Sequence, residues 1–333
     1  MYDLELVAWT SRLARMRRSD RVYKPAMLLV VLELLEGDAT PTWIPLDDVL
    51  ARFDDLLARA GLSEGTRGPG RGFNPAYHLS ASGVPVAPFP FWELTLDGRV
   101  VTGLPRPSTN TGLRRGADAL RLLPELIPAV ASPEGRLQLR WEIYELLEAD
   151  DAPDSLALVR CDDAHYAQVQ DAGRDLDERL HAPFSLDDPA PSYQLSLVQR
   201  RARRRAFRER VLAAYDRACS LCGVRIQWGG LIEAEAAHIK PHELRGADDV
   251  RNALALCRTH HWSFDRGLWT ASPDLVIDVQ THAPGATADL RALHDLRGRR
   301  LRAPRPATAA PHPLALAWHR DNPFRDARGG AGG

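Results

Sequence analysis

The stretch from Cys219 to Asp265 constrains this chain more than any other part of it. It reads CSLCG, then EAEAAHIKP, then DDVRNALALCRTHHWSFD. Cys219 and Cys222 form a C-x2-C pair, and Cys257 with His260 repeats that spacing. Two such knuckles suit one closed tetrahedral zinc site. His238, Asn252 and His261 lie between and beside these ligands. Asp265 follows His261 by four residues, so on a helix the two side chains share one face. That face can hold a hard divalent cation while His238 handles a proton. His260 and His261 are neighbours that must point differently. His260 is assigned to zinc and His261 to catalysis, with the swap as the alternative.

Composition narrows the setting. A chain of 333 residues has room for two domains with their own cores. No apolar run approaches the roughly 18 residues of a membrane span. The opening MYDLELVAWTSRLARMRR lacks the layout of a signal peptide. Three of the four cysteines sit in metal spacing and only Cys161 is left over, which argues against a disulfide framework. A cytoplasmic protein without membrane attachment is expected. The net charge of −1 does not advertise a nucleic-acid partner, so DNA contact would come from local patches. Lys24 and Lys240 are the only lysines, so arginine use reflects base composition and is not by itself evidence of phosphate binding.

In chain order, Leu6, Trp9, Leu13 and Met16 recur at helical spacing. Pro25 opens a helix, AMLLVVLELLE, that is apolar on nearly all sides and is expected at the centre of the first domain. A third helix buries Val49, Leu50, Phe53, Leu56 and Leu57, with Asp47 or Asp48 as cap and Gly61 at its end. Arg67, Arg71, Tyr77 and His78, in a Gly- and Arg-rich stretch, either line a DNA-facing loop or form a surface turn. Pro88 to Val101 predicts a β-hairpin turning at Asp97-Gly98. Helices are predicted from about Ala117 to Val130 and from Ser132 to Ala149. The acidic segment 150–196 either completes the first domain or connects it to the next. Seven arginines then crowd Arg200 to Arg210 on a helix whose apolar face carries Phe207, Val211, Leu212 and Tyr215. They make either a solvated face or, with Arg201, Arg204, Arg205 and Arg208, a phosphate-contacting one. Lys240 is a further DNA-binding candidate. GLWTA and LVIDV flank SPD as a second hairpin signal, and Trp262, Phe264 and Trp269 read as core.

Together the lead-in FRERVLAAYDRACSLCG, the AAHIKP core, the RNALALCRTHHWSFDRGL block and a late AWHRDNPFR resemble the HNH nucleases of the ββα-metal fold. The likeness is to the variant found in predicted restriction endonucleases, and it covers roughly Arg201 to Trp318. It implies His238 as general base, Asn252 as the residue bonding the loop that carries the base, and His261 and Asp265 as ligands of Mg²⁺ or Mn²⁺. Products with 5′ phosphates follow from the same resemblance. Many members place Asp or His just before the base as a further metal ligand. Here Ala237 stands there, leaving two clear protein ligands with waters or DNA oxygens to fill the shell, and Glu233, Glu235 or, more weakly, His242 as further candidates.

YKPAMLLVVLELL, IPLDDVLARF and PFPFWELTLDGRV resemble the domain that precedes HNH modules in restriction endonucleases, which in one branch binds phosphorothioate sulfur. That branch uses an aromatic–Pro segment where this chain has ELLEADDAPDSLALV, with Asp150 and Asp151 about where the aromatic belongs. The expected architecture is α+β. A mostly helical DNA-recognition domain with a small β-hairpin (1–149) and the segment 150–196 precede a zinc-stapled ββα-metal nuclease domain (197–326) and a disordered tail (327–333). The expected activity is metal-dependent cleavage of modified double-stranded DNA, phosphorothioate first and methylated or hydroxymethylated bases next. A homodimer is expected for double-strand cutting. The alternatives are a non-cleaving reader and a nuclease for RNA or single strands.

Overall fold

In the sequence PAMLLVVL every residue is apolar, so no face of a helix made from it can face water. The computed structural model buries all eight, Pro25 to Leu32. It describes residues 4–15, 22–36, 43–62, 75–107, 109–149, 153–161, 163–188, 196–228, 231–280 and 290–329. The chain divides into two units, Met1–Tyr166 and Ala167–Gly333.

In the first unit, α1 (Leu4–Leu13) leads to α2 (Tyr23–Leu34), which packs against α3 (Leu46–Arg59). Leu46, Val49, Leu50, Phe53, Leu56 and Leu57 form the buried face of α3. Pro45 precedes that helix without a side-chain cap, so Asp47 and Asp48 act through the charge of its first turn. Trp9 of α1 is buried, and its indole Nε1–H donates to the Leu126 carbonyl at 2.9 Å.

Strands β1 (Trp43–Pro45), β2 (Trp92–Leu96), β3 (Arg99–Val100) and β4 (Ala119–Leu122) form an antiparallel sheet in the order β1-β4-β2-β3. The short helices α4 (Pro75–His78) and α5 (Asn110–Arg114) lie between these strands in sequence. Asp97 and Gly98 both take positive φ, 51° and 73°, as the favoured two-residue hairpin turn requires. The helix expected over Ala117–Val130 is replaced by β4 and a short α6 (Ile127–Val130). Pro124 and Pro128 interrupt helical bonding there, and Leu120 and Leu122 instead alternate against β2 and β1. The first unit therefore carries a sheet where a lone hairpin was expected. α7 (Pro133–Ala149) starts at Pro133, with Ser132 Oγ accepting from Gly135 N at 3.0 Å, and α8 (Pro153–Cys161) packs on it.

The boundary between the units falls within α9 (Asp163–Arg179). In the second unit, α10 (Leu197–Ala214) opens with a capping box in which Ser196 and Gln199 satisfy each other's backbone. A short hairpin, β5 (Gln227–Trp228) and β6 (Leu231–Ile232), precedes β7 (Ala234–His238). β7 pairs antiparallel with β8 (Ala253–Cys257), so that His238 sits opposite Ala253. All five residues of β8 are buried, which explains the unbroken run ALALC.

Helix α11 (Arg258–Asp265) follows directly and completes a ββα unit. β9 (Trp269–Ala271) and β10 (Ile277–Val279) make the second predicted hairpin. α12 (Leu290–His294), α13 (Pro313–His319), a π turn at Arg320–Phe324 and α14 (Arg325–Gly329) end the described chain. Segment 180–188 packs within this unit. Ala247 N donates to the Leu186 carbonyl, Asp188 N donates to the Arg245 carbonyl, and Arg251 donates to the Arg179 and Ala182 carbonyls.

Candidate active site and metal centre

Cys219 and Cys222 lie on a tight knuckle. Cys219 N donates to the Val224 carbonyl, Gly223 N donates to the Cys219 carbonyl, and Gly223 has φ +77°, where a side chain would be strained. Ser220 N reaches the Ala255 carbonyl and so fastens the knuckle to β8. At the other end of β8, Cys257 is the N-cap of α11, and His260 comes round one turn later. The ligand atoms of Cys219, Cys222, Cys257 and His260 all lie within 4.8 Å of one another. His260 Nδ1 is 3.4 Å from Cys219 Sγ and 3.1 Å from Cys257 Sγ. A zinc tetrahedron built from ordinary Zn–S and Zn–N bonds has such an edge at about 3.6 Å.

The thiols compete for charge. Burial opposes the Cys219 thiolate, yet the His260 hydrogen bond and three backbone amides bring its pKa down to about 6. Burial and the neighbouring Cys219 and Cys222 push Cys257 up to about 12. Three sulfur donors and an imidazole gathered within reach of one ion are a donor set that fits Zn²⁺.

His238 ends β7 with its ring stacked on Phe207 of α10, centroids 4.2 Å apart at 12°. Its Nε2 is 3.0 Å from Asp248 Oδ1. Asn252 is wholly buried beneath the loop that follows. Its Oδ1 accepts from Lys240 N at 3.0 Å, and its Nδ2 donates to the carbonyls of Lys240 at 3.1 Å and Ala247 at 2.9 Å. The loop also needs Gly246, because a Cβ there would meet the Lys240 carbonyl oxygen at 1.9 Å. Replacing Asn252 by Ala strands three backbone polar groups, at about 1–3 kcal/mol for each one left buried. A loss of about 2–4 kcal/mol is expected in denaturant unfolding.

On α11, His261 and Asp265 share a face. His261 Nδ1 lies 2.7 Å from Glu235 Oε2 on β7, and its Nε2 lies 3.5 Å from Asp265 Oδ2. Burial raises the Asp265 pKa, and the charges of Glu235 and Glu243 add to it while His261 and Arg266 oppose it. Two crowded carboxylates and an imidazole make a donor set that suits Mg²⁺ or Mn²⁺. Of the alternatives left by Ala237, which is buried, Glu235 faces the cleft. Glu233 instead accepts from Arg258 N.

His242 lies with Asp188 and Asp248, their ligand atoms mutually within 4.8 Å. The guanidinium of Arg203 already neutralises both carboxylates there, at 3.3 Å from Asp188 and 3.0 Å from Asp248.

Glu235, His238, His261 and Asp265 line one cleft of about 930 Å³. Arg200, Arg204 and Arg208 line it too, at i, i+4 and i+8 on α10. The other arginines expected at DNA lie elsewhere. Arg205 pairs with Glu209 at 2.9 Å, and neither Arg205 nor Arg201 lines the cleft, because the helix turns both onto the adjoining face. Lys240 pairs with Asp187. In the first unit Arg67 and Arg71 lie outside the described residues. Tyr77, expected at DNA, is only 3% exposed. Its hydroxyl accepts from Val84 N and donates to the Leu104 carbonyl, so it braces a turn, and His78 packs edge-on against it.

Trp262 also departs from expectation. It is 59% exposed, because the helix turns it away from the core that Phe264 enters. His319, from the AWHRDNPFR segment, lies under α11. It stacks on Phe264 at 3.6 Å, and burial lowers its pKa to about 4, so it lines the cleft uncharged.

Residues 219–270 match the HNH endonuclease family. They form an HNH endonuclease domain. The match takes in both knuckles, the ββα unit and every residue of the two candidate centres. No curated protein matches the chain. Among solved structures, the HNH-bearing chain is similar to one described as the modification-dependent TagI restriction endonuclease, at 23% identity and a TM-score of 0.28. That likeness spans 34% of this chain and 36% of the other. No helix of the described residues is long and apolar enough to cross a membrane.

Proposed function

We propose that the chain is a metal-dependent DNA endonuclease of restriction type, with its HNH domain cutting and its first unit selecting marked DNA. The observation that carries this reading is the shared cleft, in which one histidine, a His–carboxylate set and a row of arginines face the same space. A phosphodiester resists hydrolysis because water must be deprotonated as it attacks an anion and the leaving 3′ oxygen must be stabilised.

His238 takes the water proton. As the P–O bond forms, the bond to the 3′ oxygen breaks, leaving a 5′ phosphate. Asn252 keeps the loop behind His238 closed. Glu235, His261 and Asp265 would hold Mg²⁺ or Mn²⁺, which supplies positive charge at the scissile phosphate when bound. Cys219, Cys222, Cys257 and His260 would hold the zinc that fastens the knuckles to β8 and α11. Arg200, Arg204 and Arg208 hold the DNA backbone through phosphate contacts.

Phosphorothioate is the leading mark, on the resemblance of the first unit's PFPFWELTLDGRV and neighbouring phrases to sulfur-binding domains, and a modified base is second. A homodimer would place two such clefts on the two strands.

Supercoiled phosphorothioate-modified plasmid incubated with the protein and Mn²⁺ or Mg²⁺ should be nicked and linearised, with 5′-phosphorylated ends and no cutting in EDTA. Tight binding without cutting under all these conditions would favour a non-cleaving reader, and preference for RNA or single strands would replace the duplex substrate. The arginine row has its own expected result. Arg204→Ala with Arg208→Ala should lower the slope of log binding constant against log salt by about 2, at about 0.9 per phosphate contact. A salt-titrated binding assay on plain duplex measures this.

A further inference from the structure

The HNH motif accounts for His238, Asn252 and the ligands on α11 but leaves Asp248 without a role. Asp248 is buried, and its two oxygens are both used. Oδ1 meets His238 Nε2 at 3.0 Å, and Oδ2 meets Arg203 Nε at 3.0 Å. Arg203 reaches on to Asp188 at 3.3 Å, and Asp188 is itself tied by its backbone N–H to the Arg245 carbonyl. Burial alone would raise the Asp248 pKa. The His238 hydrogen bond and the charges of His238, Arg203 and His242 hold it below the ordinary carboxylate value instead. A carboxylate only accepts hydrogen bonds, so the hydrogen between Asp248 and a neutral His238 belongs on Nε2. Nδ1 has no hydrogen bond among the described residues, and the Phe207 ring fixes the imidazole plane.

We propose that Asp248, anchored by Arg203, is the positioning residue that fixes His238 in the Nε2–H tautomer and leaves Nδ1 as the atom that takes the water proton. A histidine base has two chemically distinct nitrogens, and the partner of one decides what the other can do. Here that partner is held from behind by an arginine of the same helix whose other arginines line the cleft. The inference rests on His238 being the base of the nuclease proposed above, but its physical content, the tautomer, can be read without any cleavage.

The test is Asp248→Asn. Its amide oxygen still faces the Arg203 guanidinium, and its NH₂ then faces Nε2, so packing is kept while the hydrogen moves to Nδ1. The ring ¹⁵N shifts of His238, assigned by comparison with His238→Ala, should report Nε2–H in the parent protein and Nδ1–H in the variant. Plasmid cleavage with Mn²⁺ should fall about 10²- to 10⁴-fold in kcat with KM for DNA nearly unchanged, the pattern of a wrong tautomer.

An Nδ1–H tautomer in the parent protein overturns the proposal, and this reading stands even if the variant fails to fold. Unaltered kcat in a folded Asp248→Asn protein overturns it as well. An Nε2–H parent that cuts no nucleic acid would support the tautomer and contradict the nuclease reading instead.

Discussion

Cys257→Ser should cost the second unit its fold. Structural zinc sites bind with about 10–16 kcal/mol of apparent free energy, and whole domains are stable by about 5–15 kcal/mol. Losing the site therefore removes as much as the domain has. Cys257 is also the residue at which β8 becomes α11, so its knuckle sets the direction of the helix that carries His261 and Asp265. The variant should purify with less than one zinc per chain, and its circular dichroism should lack the second unit's cooperative melting step. Strong chelation of the parent protein should reproduce this. A chelated, zinc-free protein with an unchanged melting curve would contradict the staple.

His238→Ala should leave the fold and lower cleavage by about 10²–10⁴, the ordinary contribution of a positioned acid or base. Duplex binding should change little, because the phosphate contacts assigned to Arg200, Arg204 and Arg208 remain. The truncation also bares the face of Phe207, so a modest loss of melting temperature is expected and is measured beside the rate. Equal cleavage by parent and variant, at equal zinc content, would remove His238 from the mechanism.

Legibility in the sequence follows the range of each interaction. The knuckles are local, four-residue devices, so their spacing shows in the string. The same holds for the Asp97–Gly98 turn and for α2, where no polar residue interrupts eight apolar ones. Asp248 was not legible because it stands beside Asp249, and nothing local separates them. Asp249 caps the turn at Arg251, while its neighbour reaches back ten positions to His238.

Glu235 was left open beside Glu233 because strand phase decides between them, and register is a property of the β7–β8 pairing. The arginine run hides its phase in the same way. Phe207 against His238 fixes which side of α10 faces the cleft, and that selects Arg200, Arg204 and Arg208 over Arg201 and Arg205. β4 was missed because a four-residue strand bounded by proline looks like a helix when its partners are far off in sequence.

One measurement bears most directly on the whole reading: cleavage of matched plasmids, one phosphorothioate-modified and one plain, with Mg²⁺ or Mn²⁺, by the parent protein and by His238→Ala. The account predicts cutting of the modified plasmid alone, lowered about 10²- to 10⁴-fold in the variant. Equal cutting of both plasmids would contradict phosphorothioate selection by the first unit and keep the HNH mechanism. Undiminished cutting by His238→Ala would contradict the mechanism itself.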